Sequence, residues 1–278
     1  MTIRPLGTIP EFREVMALEA EVWGYDDLAN AGGIPVFVAT LKRGGILLGA
    51  YDGGRLAGFV YSFASVEDGR PAQWSHMLAV RPAQRAAGLG RALKVEQRRV
   101  CLERGFDLVE WSFDPLAAVN AHLNVRRLGA VVREYAVDLY GASDSPLHRG
   151  APTDRFVAEW RLRSPRVEAA LAPRDAARRA DGGPAFPGVA RLNAVEARGD
   201  WLACAGWDPA RDDEELAVVV PGRYHEMLER EPGLAAAWRL ATREIFVDGF
   251  SRGFSVVDFA LDESGGGTYL LRRAPSGE

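Results

Sequence analysis

A short basic segment contains the residue types that bind phosphate groups. Arg85, Gly88, Gly90 and Arg91 follow an apolar run that ends at Val80, and a stretch with helical periodicity comes directly after them. Free backbone N–H groups in the first turn of a helix, together with the positive end of its dipole, attract anions. Two glycines in three residues weaken a helix start, so we interpret them as letting a ligand approach the backbone. The segment predicts a cradle for a phosphate or diphosphate; the alternative is an ordinary helix start with exposed arginines.

The elements around this segment must hold it in place. Ala72–Val80 alternates as a strand, with Trp74, His76, Leu78 and Val80 on one face. A helix is predicted over Gly88–Arg104, a strand over Leu108–Phe113, a second helix from Pro115 to Leu128, and paired strands over Ala130–Leu139 and Arg155–Leu162. This order predicts an α/β fold with a mixed twisted sheet flanked by helices, followed by a smaller α+β C-terminal region.

A dinucleotide-binding loop is the main alternative for the two glycines. Glu110 lies twenty residues after Gly90, where an acidic side chain could bind a ribose. The segment lacks the third glycine of that motif, however, and Gly88 follows Val80 by eight residues, too far for a tight turn directly off the strand. We therefore reject NAD-dependent redox chemistry.

The segment Arg85-Ala86-Ala87-Gly88-Leu89-Gly90 fits the pattern Gln/Arg-x-x-Gly-x-Gly/Ala, and Leu78-Ala79-Val80-Arg81-Pro82 fits the strand that precedes it. Both resemble the acyl-CoA-binding motif of the GNAT superfamily of N-acetyltransferases, over roughly the first 160 residues. The resemblance implies that the cofactor is acetyl-CoA or another acyl-CoA. It implies a diphosphate site at Arg85, Ala86, Ala87, Gly88, Leu89, Gly90 and Arg91, and a pantetheine site at Leu78, Ala79 and Val80, where the strand diverges from its neighbour.

The resemblance also implies the reaction: acetyl transfer to an amine of a small molecule or peptide, by direct attack in a ternary complex. Such a transfer needs a base for the amine and an acid for the leaving thiolate. His76, four residues before Val80, is the predicted base; the alternative is a hydrogen-bonded histidine packed by Trp74. The usual acid, a tyrosine, is replaced by Val125. This departure leaves open a second function, that of a non-catalytic acyl-CoA-binding, sensing or scaffold protein.

Three polar residues near the second helix have less specific predictions. Asn120 and Asn124 are one helical turn apart and could reach the cofactor or the acceptor, although surface asparagines are common. Asp114 follows a strand, and we expect it to cap the helix that comes next.

Composition limits the class of protein. The chain has 278 residues, 47% of them hydrophobic and 26% charged, with a net charge of −4. This balance is that of a globular protein without a basic surface for nucleic acid or a polybasic run for a membrane. Cys101 and Cys204 show no metal-ligand spacing, so no metal is predicted. The first residues lack the apolar core of a signal peptide, and we expect a cytoplasmic protein; a homodimer is left open.

The predicted domain organisation has three parts: an acetyltransferase domain over residues 1–164, a linker over 165–190 and the C-terminal region over 191–278. The last part predicts the order strand, helix, glycine, strand, strand over Leu216–Val220, about Gly233–Gly249, Phe254–Leu261 and Tyr269–Arg272. The same order is predicted over Leu108–Leu162. We interpret the C-terminal region as a truncated second copy of the same half-fold without its phosphate loop; the alternative is an unrelated α+β cap.

Overall fold

The computed structural model describes residues 1–24, 33–141, 149–173 and 185–273. The chain forms two compact units. The first contains Met1–Trp111 and Arg161–Arg163, and the second contains the described parts of Ser112–Asp144, His148–Trp160 and Ser164–Glu278. The predicted fold class, α/β with a mixed sheet flanked by helices, is confirmed. In the described parts of the chain, no helix combines the length and the apolar character needed to cross a membrane.

The first unit holds the predicted strand–loop–helix segment. Its elements are β1 (Thr2–Pro5), α1 (Ile9–Trp23), α2 (Ile34–Leu41), β2 (Ile46–Asp52), β3 (Arg55–Glu67), β4 (Arg70–Val80), a 3-10 turn (Pro82–Ala87), α3 (Leu89–Glu103) and β5 (Leu108–Phe113). The strands neighbour one another in chain order. Pairing is antiparallel from β1 to β4 and parallel between β4 and β5. The parallel step is possible because α3 provides the crossover between these two strands.

Helices cover both faces of this part of the sheet. On one face α1 and α2 bury a cluster that includes Phe12, Val15, Leu18, Phe37, Phe59, Tyr61 and Met77. On the other face α3 packs closely: a Cβ added at Gly58 would lie 3.2 Å from Leu93 and 2.8 Å from the carbonyl oxygen of Ala79. Glycine at this position therefore lets α3 approach β3. The buried side of α3 carries Leu89, Leu93, Lys94, Gln97, Val100 and Cys101.

The second unit contains most of the remaining elements. They are α4 (Ala118–Ala121) with a π-helical continuation (His122–Arg127), β6 (Val131–Ala136), β7 (Arg155–Arg161), α5 (Pro165–Leu171), β8 (Ala190–Arg191), β9 (Asn193–Arg198), β10 (Trp201–Trp207), β11 (Glu215–Val220), α6 (Tyr224–Arg230), α7 (Pro232–Ser251), β12 (Phe254–Leu261) and β13 (Gly267–Arg273). The strand order is β7–β6–β12–β13–β11–β8, and β9 and β10 form a separate hairpin.

The second unit has an internal repeat about the β6–β12 pair, which is antiparallel and joins Val132 to Val256. Outward from this pair, β7 and then the end of β5 follow on one side, while β13 and then β11 follow on the other. Each side arises from the same chain order of strand, helix, strand and strand. Phe113 of β5 packs against Phe156 of β7, with 5.6 Å between ring centroids. This order is the one expected of the predicted second copy, and both that interpretation and the alternative of an unrelated α+β cap stay predictions.

Two details differ from the sequence prediction. The helix after β5 begins at Ala118 instead of Pro115, and from His122 it is π-helical, with Leu128 N donating to Leu123 O. Within the predicted linker, Pro165–Leu171 is the helix α5, and Ser164 Oγ accepts from Val167 N at 3.3 Å. Residues 174–184 of that linker lie outside the described residues, and the boundaries at 164 and 190 stay a prediction.

Candidate functional site

The strands β4 and β5 separate along their length. Parallel pairs join Gln73 to Val109 and Trp74 to Glu110. Beyond these, β4 continues paired with β3 as far as Val80, and no further β4–β5 pair occurs among the described residues of the two strands. The region between Ser75–Val80 and Trp111 is named here the β4–β5 opening. Of the residues predicted to bind pantetheine, Leu78 and Val80 direct their backbone groups toward this opening, whereas Ala79 directs its groups toward β3, because hydrogen bonding alternates along an antiparallel pair.

The predicted phosphate cradle lies where β4 leads into α3. The 3-10 turn ends at Gly88, whose φ of 73° is left-handed, a conformation that glycine adopts without strain. Arg85 Nε donates to Val80 O at 3.2 Å and ties the turn to the end of β4. At the start of the helix, Ala92 N donates to Gly88 O at 3.1 Å.

The left-handed turn at Gly88 leaves the start of α3 without a side-chain cap for its backbone N–H groups. The N–H groups of Leu89 and Gly90 lie in the first turn of the helix, and Gly88 has no side chain that could cap them. A Cβ at Gly88 would meet nothing within 4 Å, so the approach to this turn is open. These features fit a diphosphate group. The side chains of Ala86 and Ala87 lie outside the described residues.

His76 lies in a β-bulge of β4. Tyr61 pairs with Met77 and Phe63 pairs with Trp74, so Ser75 and His76 together oppose a single residue of β3. The bulge interrupts the strict alternation that the sequence predicts for this strand.

The environment of His76 suits a proton acceptor. The side chain is exposed, and its ring lies 6.1 Å from the Tyr61 ring and 5.8 Å from the Phe63 ring between centroids. Although part of the residue is open to solvent, the neighbouring groups desolvate its ring, and this lowers the pKa of His76 below its ordinary value. The imidazole is therefore neutral at pH 7 and can accept a proton.

A buried polar network lies beneath the β4–β5 opening, and the sequence prediction missed it. Lys94 Nζ donates to Ser75 Oγ and to Gln97 Oε1, both at 3.0 Å, and lies 3.6 Å from the centroid of the Trp111 ring. Burial lowers the pKa of Lys94 to about 7. The available signal was compositional: Lys42 and Lys94 are the only lysines among 34 basic residues.

The remaining predicted residues belong to the second unit. Asn120 is exposed on α4, whereas Asn124 is buried in the π-helical segment, and a role for either in cofactor binding stays a prediction. Val125 is fully buried. In the described part of the chain, no group of three or more His, Cys, Asp or Glu side chains is arranged to hold a metal ion.

The prediction that Asp114 caps the next helix is wrong: α4 has Ala117 at its N-cap without a side-chain cap, and Asp114 instead stabilises the turn before it and forms a buried ion pair. Its Oδ1 accepts from Leu116 N at 2.8 Å. Two guanidinium nitrogens of Arg239 donate to its carboxylate at 2.9 and 2.6 Å, and Arg155 lies at 3.8 Å. Burial alone would raise the pKa of Asp114, but the charge and hydrogen bonds of Arg239 hold it below its ordinary value. This carboxylate is already engaged and is a poor candidate for a base.

No family model and no curated protein matches the chain. Solved structures similar to it include the ribosomal-protein-S18-alanine N-acetyltransferase of Escherichia coli, at 18% identity, a TM-score of 0.47 and coverage of 58% of this chain and 93% of that chain. Aminoglycoside 6'-acetyltransferase type Ii matches at 16% identity and a TM-score of 0.45, covering 63% of this chain and 100% of that one. Naa50 of Arabidopsis thaliana, in complex with a bisubstrate analogue, matches at 10% identity and a TM-score of 0.45, covering 57% and 96%. The element order, the separating β4 and β5, and the Arg85–Gly90 segment at the start of α3 agree with the GNAT-like arrangement that the sequence predicts for the N-terminal part of the chain.

Proposed function

We propose that this protein is an acyl-CoA-dependent N-acyltransferase that moves an acetyl group from acetyl-CoA onto an amine. One observation carries the proposal: an uncapped helix start with the Arg85–Gly90 pattern lies at the end of a strand that has separated from its parallel neighbour. Backbone donors for a diphosphate at the start of α3 therefore lie next to an unpaired edge of β4 that can bind the amide groups of pantetheine. The proposed acceptor is an amine of a small molecule or peptide, and the proposed compartment is the cytoplasm.

The chain's own residues bind and orient the cofactor in this proposal. Backbone N–H groups of Leu89, Gly90 and Arg91 hold the diphosphate. Backbone groups of Leu78 and Val80 hold the pantetheine amides within the β4–β5 opening, and a strand N–H polarises the carbonyl under attack. The cofactor supplies the activated acyl group as a thioester.

His76 takes the proton of the acceptor amine. Its Nδ1 or Nε2 must be unprotonated to do so, and the lowered pKa keeps the ring neutral at pH 7. The contacts with Tyr61 and Phe63 fix the ring beside the strand that holds the thioester. The proton for the leaving thiolate has another source than Val125, which replaces the tyrosine of the resembled pattern.

A specific observation favours the second function, acyl-CoA binding without turnover. Val125 is fully buried and has no proton to give, so the resembled acid is missing. Both functions predict saturable CoA binding. They differ in whether thiol is released from acetyl-CoA when an amine is present.

The experiment combines binding and turnover. Calorimetric titration with CoA measures the affinity, and thiol release from acetyl-CoA is followed over a panel of aminoglycoside, polyamine and peptide amines. Saturable binding with amine-dependent release supports the transferase. Binding without release across the panel supports the binding protein. Failure of the folded protein to bind CoA contradicts both functions.

Substitution of His76 by alanine is expected to lower kcat about 10²-fold at pH 7, at the lower end of the contribution of a general base. The affinity for CoA should change little, because the diphosphate and pantetheine contacts come from other residues. The measurement is kcat from pH 5 to pH 9, beside CoA titration. In the wild type, kcat should fall as the pH decreases through the pKa of His76, and the variant should lose this dependence. Equal pH profiles would exclude His76 as the base.

A further inference from the structure

Lys94 lies at the point where β4 and β5 separate. The last pair of the two strands joins Trp74 to Glu110, and the next residues are Ser75 and Trp111. The amino group of Lys94 donates to Ser75 Oγ at 3.0 Å and lies 3.6 Å from the centroid of the Trp111 ring. One amino group thus contacts the first residue of each strand beyond the last pair.

The hydrogen bonds around this amino group form a closed network. Lys94 Nζ donates to Gln97 Oε1 at 3.0 Å, and Gln97 Nε2 donates to Ser75 Oγ at 3.1 Å. All three side chains are buried, with Lys94 only 2% exposed. Buried networks of this kind fix one arrangement of the groups that they join, provided every member is satisfied. This network therefore fixes the position of β4 relative to α3 at the base of the opening.

An ionisable side chain at this position is costly. The other buried residues of α3 include the apolar Leu89, Leu93 and Val100, and an apolar residue at position 94 would extend their packing. Burying an amine disfavours its charged form, and apolar replacements of buried ionic groups are often more stable. The cost indicates a role for Lys94 beyond packing.

The groups that face Lys94 allow it to change charge near neutrality. Burial lowers its pKa to about 7, with a smaller opposing effect of Cys101 from the same helix. Burial also raises the pKa of the Cys101 thiol to about 12, so that group stays neutral. Ser75 from β4 and Trp111 from β5 do not titrate in this range. Alternation places Glu110 on the opposite face of β5 from Trp111.

We propose that Lys94 is a positioning residue that holds β4 and β5 at the separation that acyl-CoA requires. The inference rests on the proposed function of the β4–β5 opening. The ammonium form of Lys94 is attracted to the face of Trp111 and donates to Ser75, whereas the neutral amine loses the attraction to the ring. The strands are therefore held more firmly below pH 7 than above it, and CoA affinity follows the same direction.

The test compares wild-type protein with Lys94→Met, which keeps the length of the side chain and removes the charge and the hydrogen bonds. The dissociation constant for CoA is measured by calorimetry at about pH 6 and about pH 9, on either side of the lowered pKa. The ratio of variant to wild-type constants should be about tenfold at the lower pH, from the loss of the cation–π contact with Trp111 of β5 and the hydrogen bond to Ser75 of β4, and smaller at the higher pH. Ionisations shared by both proteins, such as that of His76, cancel in this ratio.

Two further variants make the outcome decisive. Cys101→Ala removes another buried side chain of α3, one whose thiol stays neutral and takes no part in the hydrogen bonds among Lys94, Gln97 and Ser75, and its CoA affinity should stay close to that of the wild type. Ser75→Ala removes the acceptor on β4 while Lys94 remains, and it should weaken binding in the same direction as Lys94→Met, even where the latter folds poorly. A Lys94→Met ratio of one, or a ratio equal at both pH values, would overturn the inference, as would wild-type affinity in Ser75→Ala. Wild-type protein that binds no CoA would instead contradict the proposed function.

Discussion

Replacement of Arg239 by methionine is expected to lower the free energy of unfolding by about 3–5 kcal/mol, the range found when one partner of a buried ion pair is removed. The guanidinium is 2% exposed and donates two hydrogen bonds to Asp114. Without it, the carboxylate of Asp114 keeps the hydrogen bond from Leu116 N and, of the charged groups that the structure describes, the more distant Arg155, at 3.8 Å. Urea unfolding of the variant and the wild type at pH 7 measures the difference.

The stability lost in Arg239→Met should depend on pH, because it depends on the charge of Asp114. In the wild type this pKa is lowered, so the carboxylate contributes stability above its unfolded pKa, and that contribution is lost as the pH falls through the folded value. In Arg239→Met the pKa of Asp114 rises, because the charge that lowered it is gone. The deficit of the variant should therefore decrease as the pH falls toward about 4, where the carboxylate becomes protonated.

Two comparisons separate the ion pair from other effects of the substitution. Arg272→Met removes an exposed partner of Glu215 in the same unit and should cost less than about 1 kcal/mol. The double variant Asp114→Asn/Arg239→Met removes both charges while keeping an acceptor for Leu116 N. It should recover part of the stability lost in the single variant. A double variant as unstable as the sum of the two single variants would show that the charges do not interact.

Local patterns were sufficient to predict the elements around the phosphate segment. The strand ending at Val80, the helix that follows it and the strand from Leu108 each depend on neighbours in sequence. These patterns predict structure reliably because they depend on residues only a few positions apart in the sequence. The repeat in the second unit was also visible as an order of elements, although the short strands β8 to β10 gave no periodic signal.

The features that the sequence did not predict depend on contacts between distant elements. The bulge at Ser75 and His76 changes the register against β3, and a count of alternating residues cannot detect one extra residue. Arg239 and Asp114 are 125 residues apart. Lys94 is typical of an exposed helix position, and only the packing of α3 on β4 and β5 shows that it is buried. Tertiary context determines each of these features.

Substitution of Gly90 by glutamate is expected to weaken CoA binding about 10³-fold while the fold is retained. Gly90 lies in the first turn of α3, among the N–H groups proposed to hold the diphosphate. A carboxylate there adds a negative charge about 5 Å from two others, a repulsion of several kcal/mol at an effective dielectric constant of about 20. Glutamate in a first helical turn is favourable for the helix itself, and so is the loss of glycine.

Gly90→Glu is informative because it should weaken CoA binding while it stabilises the start of the helix. A variant with unchanged or raised melting temperature and no detectable CoA binding would locate the diphosphate at the start of α3, because general destabilisation could not produce that combination. Gly90→Gln has nearly the same side-chain size without the charge, and it should lose less affinity than Gly90→Glu. The difference between the two should decrease with added salt, since the repulsion acts between partly exposed charges. Calorimetry with CoA over a salt series measures it. Equal affinity in Gly90→Glu and the wild type would place the diphosphate elsewhere and remove the main support for acyl transfer by this protein.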